Sequence, residues 1–111
     1  MNNLFALLLK KKGITKIDVL ILFGSYSKGT ERKESDIDIL GVSENKEETE
    51  REIRSFKYST GKDFSPVTIP RVEFPKIKKE NPELWNDIIK NGIIFKGVET
   101  VYFIEYENES S

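Results

Sequence analysis

The chain has 111 residues, with 18 lysines and arginines against 19 aspartates and glutamates, a formal net charge of −1, and neither cysteine nor histidine. That length allows one compact domain around one small core. The missing residue types exclude disulfides, thiolate and imidazole metal sites, cysteine nucleophiles and His-based triads, and the near-zero net charge gives no general reason to expect binding to nucleic acid or to a membrane surface.

In chain order, residues 3–11 predict a short helix. Leu4 and Leu8, like Phe5 and Leu9, are i,i+4 pairs, lysines fill the last turn, and Gly13 can end it. No basic region precedes the apolar residues 4–9, and Lys10, Lys11 and Lys12 follow them, which is the wrong order for a secretory signal. With no apolar run of transmembrane length, a cytoplasmic protein is expected. Residues 17–23 are almost continuously apolar and predict a central strand covered on both faces. Residues 25–28 predict one or two helical turns, 29–35 a loop, and 36–42 a second strand.

Asn45 with Glu48 three residues on has the form of a capping box, opening a helix to about Tyr58 with Glu47–Arg51 and Glu50–Arg54 as i,i+4 ion pairs. Only Ile53 and Phe56 give this helix an apolar face, and Gly61 closes it. Residues 63–69 predict a third strand, and Pro66, which cannot donate a ladder hydrogen bond, argues for an edge or a bulge. Asn81-Pro82-Glu83 is a helix start with Asn as N-cap, and Asn91-Gly92 is its end. Trp85, spaced with Ile89 on that helix, is assigned to the core. Residues 93–96 and 101–106 predict short strands. The expected architecture is α+β (mixed α/β), a small mixed β-sheet flanked by helices, with one domain over residues 1–106 and a loose polar tail over 107–111.

The chemistry concentrates in residues 21–42. Side chains at i and i+2 of a strand leave the same face, so Asp36 and Asp38 point together, about 6.5 Å apart along the strand. Two carboxylates that close attract a cation. With no histidine or cysteine available, the hard oxygen donors select an ion such as Mg2+. At the other end of the stretch, Gly24 permits close approach to the backbone. Ser25, where a helix can begin, offers a hydroxyl and free N–H groups to a phosphate oxygen. Lys28, Arg32 and Lys33 add positive charge; Lys28 and Arg32 are candidate phosphate contacts by proximity alone, and solvated loop charges explain those two more simply. A P-loop fails because Thr30 follows Gly29 where a lysine is required. An EF-hand beginning at Asp36 fails because Leu40 occupies a ligand position inside a strand.

Gly24-Ser25, ten residues, then Asp36-Ile37-Asp38 resembles the signature of the DNA polymerase β nucleotidyltransferase superfamily. The fuller run from Phe23 to Gly29, followed by Ser35-Asp36-Ile37-Asp38, resembles the minimal nucleotidyltransferases, called MNT proteins, which are small and often act as antitoxins. The resemblance implies that Gly24 and Ser25 hold the triphosphate of ATP, and that Asp36 and Asp38 hold two Mg2+ ions. Superfamily members usually carry a third catalytic, metal-binding carboxylate on the next strand. Here the candidate is Asp63, but a register slipped by one pleat puts Ser65 there instead. The resemblance further implies a HEPN-type RNase toxin as partner, its tyrosine receiving AMP from ATP. A partner-binding module with a vestigial nucleotide site, and transfer to RNA or a small molecule, stay open as alternatives, as does homo-oligomerisation.

Overall fold

The computed structural model describes residues 16–24 and 36–107. The helix expected over residues 3–11 and the turns and loop expected over 25–35 lie outside them. The order is β1 (Val19–Phe23), β2 (Ile37–Val42), α1 (Lys46–Thr60), β3 (Phe64–Ile69), a 3-10 turn (Phe74–Lys76) running into the short α2 (Ile77–Glu80), α3 (Pro82–Asn91), β4 (Ile93–Lys96) and α4 (Val98–Glu107). The strands form one mixed sheet in the order β3-β2-β1-β4. β1 runs antiparallel to both β2 and β4, while β2 and β3 are parallel and joined through α1.

The apolar character of β1 is explained by its place. Leu20 and Leu22 face one side, with Ile17, Ile37, Ile39 and Phe64, under Ile53 and Phe56 of α1. Val19 and Ile21 face the other, with Leu40 and Val42, under Phe74, Trp85, Ile88, Val101 and Ile104. A strand covered on both faces has no position left for a polar side chain. α1 meets the sheet through Thr49, Ile53 and Phe56, a stripe at helical spacing, and its remaining face is solvated.

β3 is an edge strand, as Pro66 suggests. The bonds from the Ile37 N–H to the Asp63 carbonyl and from the Ser43 N–H to the Ile69 carbonyl fix the alternation of the parallel ladder. The N–H positions of residues 64, 66 and 68 then face away from β2. Pro66 therefore removes no ladder bond. The N-cap of α3 also forms as expected, with the Asn81 side chain accepting from the Leu84 N–H at 3.2 Å.

Three expectations are corrected. Residues 101–106 are helical, within α4, rather than a strand. Their β-branched and aromatic composition favours a strand locally, but Val101 and Ile104 are buried three residues apart, a helical spacing that closes the core over Trp85. The Lys78 ammonium also caps the far end of α4 by donating to the carbonyls of Ile104 and Glu105. Glu107, placed by the sequence in a loose tail, is the last residue of this helix. Finally, the Asn45 side chain makes no capping bond to α1: Glu48, its expected partner in the box, is drawn to the Lys16 ammonium, and the Ser43 hydroxyl accepts from the Asn45 N–H at 3.2 Å.

The turn between β4 and α4 sits on Gly97, at φ +86°, where an added Cβ would lie 2.7 Å from the Asp18 carbonyl oxygen. Replacement by Ala combines left-handed strain with a backbone collision, neither of which a side-chain rotation relieves. Gly97→Ala is expected to destabilise the fold by about 2–4 kcal/mol, read as a lower midpoint of urea unfolding. An unchanged midpoint would show that the turn is not held in this conformation.

Candidate active site

The end of β1 and the start of β2 lie side by side at one end of the sheet. Phe23 pairs with Asp38, Leu22 with Ile39 and Ile21 with Leu40, so Asp38 shares a face with Phe23 and Leu40 beyond the last layer of core. The backbone then turns at Gly24, φ +78°. A Cβ on Gly24 would collide with the Asp38 carboxylate, its Cγ lying 3.2 Å away. The acid is thus turned onto the glycine bend, and only glycine leaves it room.

Asp38 is half-buried and Asp36, one residue before the strand, is exposed. Burial, and then the negative charge of Asp36, push the Asp38 carboxyl above its usual range. A carboxylate kept partly dehydrated next to a second negative charge is an unfavourable arrangement without a cation and a favourable one with it. Hard oxygen donors on one ledge fit a divalent ion such as Mg2+.

The third acidic position is less complete. In the β2–β3 register Asp38 lies beside Ser65, and Ile37 beside Phe64, which leaves Asp63 just ahead of the strand, next to Asp36. The Asp63 carboxylate is 2.9 Å from the Lys57 ammonium in the last turn of α1. Among the described residues, no three acidic side chains come together in an arrangement that could hold a metal. Ser25 and Lys28 lie outside the described residues.

Lys57 is the residue of this neighbourhood that sequence reasoning passed over. Its ammonium is held above the ordinary lysine range, chiefly by the hydrogen bond and charge of Asp63, with a smaller contribution from Asp36. The signal was available in the β2-α1-β3 order: the last turn of a crossover helix lies over the start of the strand that follows it. Both partners are mostly exposed, so the pair adds little to stability, but it places a positive charge beside the ledge. Lys57→Ala is expected to tighten divalent-cation binding about two- to fivefold, measured by Mn2+ titration at low salt. Weaker binding in the variant would show that Lys57 orders the acids instead of competing for them.

The family model for the polymerase beta nucleotidyltransferase domain matches residues 5–99. Among solved structures, a mutant of the MntA–HpeT toxin–antitoxin pair is similar with a TM-score of 0.65 at 18% identity, covering 99% of this chain and 86% of that one. A toxin–antitoxin structure with AMP-PNP follows at 0.57 and 19%, covering 99% and 92%. The complex of the tri-AMPylated Shewanella oneidensis HEPN toxin with MNT antitoxin gives 0.56 and 18%, covering 98% and 82%. Likeness at these identities shows a common fold. No curated protein matches the sequence. With the glycine bend, the paired acids and a family match over most of its length, the chain belongs to the polymerase beta nucleotidyltransferase family.

Proposed function

We propose that the chain is a Mg-dependent nucleotidyltransferase that moves AMP from ATP onto a tyrosine of a HEPN-type protein partner and acts as its antitoxin. The observation that carries this reading is the Asp38 carboxylate turned against the Gly24 bend, so that a cation held by the acids would lie directly beside the backbone turn after β1. The toxin–antitoxin complexes of the same fold, one with AMP-PNP and one with an AMPylated HEPN toxin, support the choice of nucleotide and acceptor.

In this reading Asp36 and Asp38 hold Mg2+, with Asp63 as the third ligand once released from Lys57. When bound, the metal neutralises triphosphate charge and lowers the pKa of the attacking hydroxyl. Gly24 and Ser25 cradle phosphate oxygens, and Lys28 adds charge. The tyrosine oxygen bonds to the α-phosphorus, the α–β bridging bond breaks, and pyrophosphate leaves. The chain contributes mainly position and electrostatics, which is how phosphoryl transfer is generally catalysed.

A second reading, a partner-binding antitoxin with a vestigial nucleotide site, is favoured by one specific observation: Ser65 stands beside Asp38, and Asp63 is occupied by Lys57. Incubation with α-labelled ATP, Mg2+ and a HEPN-type candidate partner separates the two. Label on the partner that depends on Asp36 and Asp38 supports transfer. A tight complex without label, unaffected by Asp36→Asn and Asp38→Asn, supports the binding module.

A further inference from the structure

The end of α1 is held firmly against the strand that follows it. Phe56 is buried and meets Phe64 edge-on with ring centroids 5.5 Å apart. The Thr60 hydroxyl donates to the Phe56 carbonyl at 2.8 Å, and the N–H of Gly61, a left-handed C-cap, donates to the Lys57 carbonyl at 2.8 Å. The backbone of Lys57 is therefore fixed over the start of β3. Its side chain is not: the Lys57 and Asp63 side chains, which meet at 2.9 Å, are 59% and 63% exposed. A solvated pair of this kind contributes little, and the flexible four-carbon stem of lysine lets its charge change partners.

Across this end of the sheet the order β3-β2-β1 sets Asp63 beside Asp36, with Asp38 and the Gly24 bend beyond. Neighbouring strands lie about 4.8 Å apart, so an ammonium resting on Asp63 is within one side-chain swing of the space in front of Asp36, whose charge already acts on it. A bare divalent ion reaching the ledge finds Asp36 and Asp38 open but Asp63 masked by a cation that also repels it. A nucleotide brings what the bare ion lacks: phosphate oxygens to which an ammonium makes a charge-assisted hydrogen bond.

We propose that Lys57 is a nucleotide-binding residue that alternates between two anions: it holds Asp63 while no nucleotide is bound, and moves to a phosphate oxygen when metal-bound nucleotide arrives, releasing Asp63 to the metal. Metal and nucleotide binding are thereby coupled through the protein, beyond the contacts the two ligands make with each other. This rests on the proposed reading only in taking the ledge as a nucleotide site, and it requires neither transfer nor a partner. The test measures two ligands on the full chain, Mn2+ alone by electron paramagnetic resonance and Mg-AMP-PNP by calorimetry. Lys57→Ala is expected to shift them in opposite directions: Mn2+ alone binds about two- to fivefold tighter, and Mg-AMP-PNP about tenfold weaker. Adding Asp63→Asn should abolish the gain for Mn2+, because the gain is Asp63 made available. Lys57→Arg, which keeps the charge, should retain most of the nucleotide affinity. The melting temperature should stay unchanged, because the pair lies outside the core.

Mg-AMP-PNP bound as tightly by Lys57→Ala as by the wild type, or more tightly, would overturn the proposal and leave the ledge reading intact. A loss of nucleotide affinity that Lys57→Arg shares in full, with a lower melting temperature in both variants, would make the role structural and overturn it as well. A gain for Mn2+ that survives Asp63→Asn undiminished would show that Asp63 is not what Lys57 withholds. A wild-type chain that does not bind Mg-AMP-PNP would remove the ledge reading and this proposal together.

Discussion

Asp38→Asn is expected to reduce nucleotide transfer about a thousandfold or more while raising the melting temperature of the metal-free protein by a few degrees. The first effect follows from the several kcal/mol that a well-held divalent ion contributes to the transition state, at about 1.4 kcal/mol per tenfold in rate. The second follows from the setting of the carboxylate. Burial and the Asp36 charge hold the Asp38 carboxyl above the ordinary value of 3.8, so the folded state binds this proton more tightly than the unfolded chain does. The stability this group contributes is therefore present at low pH and lost as pH rises from its unfolded value through its raised folded one. Above that window ionised Asp38 opposes folding, and the neutral amide does not. The difference in melting temperature between D38N and wild type should grow through the window and then level off, and saturating Mg2+ should shrink it by stabilising the wild type alone. A less stable D38N at neutral pH without metal would mean that Asp38 has a structural partner whose loss outweighs the relief of burying its charge.

The second large effect is on the fold itself. Trp85→Ala is expected to destabilise the protein by about 3–5 kcal/mol, a large fraction of the total stability of a small domain. Trp85 is 2% exposed, lies against Phe74 with ring centroids 5.7 Å apart, and donates its Nε1–H to Glu105 at 3.1 Å. Truncation leaves a cavity where α3, α4 and the 3-10 turn meet and strips Glu105 of the Trp85 donor, leaving it Lys78. That hydrogen bond is the largest reason the Glu105 carboxyl sits below its usual range, followed by Lys78. Trp85→Phe keeps most of the volume and loses the bond, and should cost about 1–2 kcal/mol. Denaturant midpoints of the two variants separate the packing contribution from the polar one. Equal losses would place the stabilisation in the Glu105 contact, not in the cavity.

The sequence was most readable where one physical requirement acted alone. The continuous apolar run before Gly24 could only be a strand covered on both sides, and Pro66 could sit only where its missing donor was not needed. Asn81-Pro82 could hardly begin anything but a helix. Reading failed where a tertiary contact outweighed local preference. Residues 101–106 carry strand-favouring side chains but become a helix because Trp85 requires a cover and Lys78 caps the far end. The 3-10 turn and α2 over residues 74–80 had no local signature, since Phe74 is the one buried anchor in that segment. Asn45 and Glu48 had the spacing of a capping box, yet a lysine distant in sequence took the glutamate. At the site, the DxD spacing predicts two acids on one face, and the structure sets Asp38 against Gly24. The third position depended on strand register, which no spacing rule resolves across a helical crossover. The register sets Ser65 beside Asp38, and Lys57 occupies Asp63.

In the proposed site Asp36, Asp38 and the bend after β1 form one pocket for a magnesium-bound nucleoside triphosphate. Calorimetric titration of Mg-AMP-PNP into the full chain tests this without requiring a partner or turnover. Saturable binding of one nucleotide per chain is expected, lost in the Asp36→Asn, Asp38→Asn double variant, itself still folded. Heat indistinguishable from dilution, or equal binding by wild type and double variant, would contradict it.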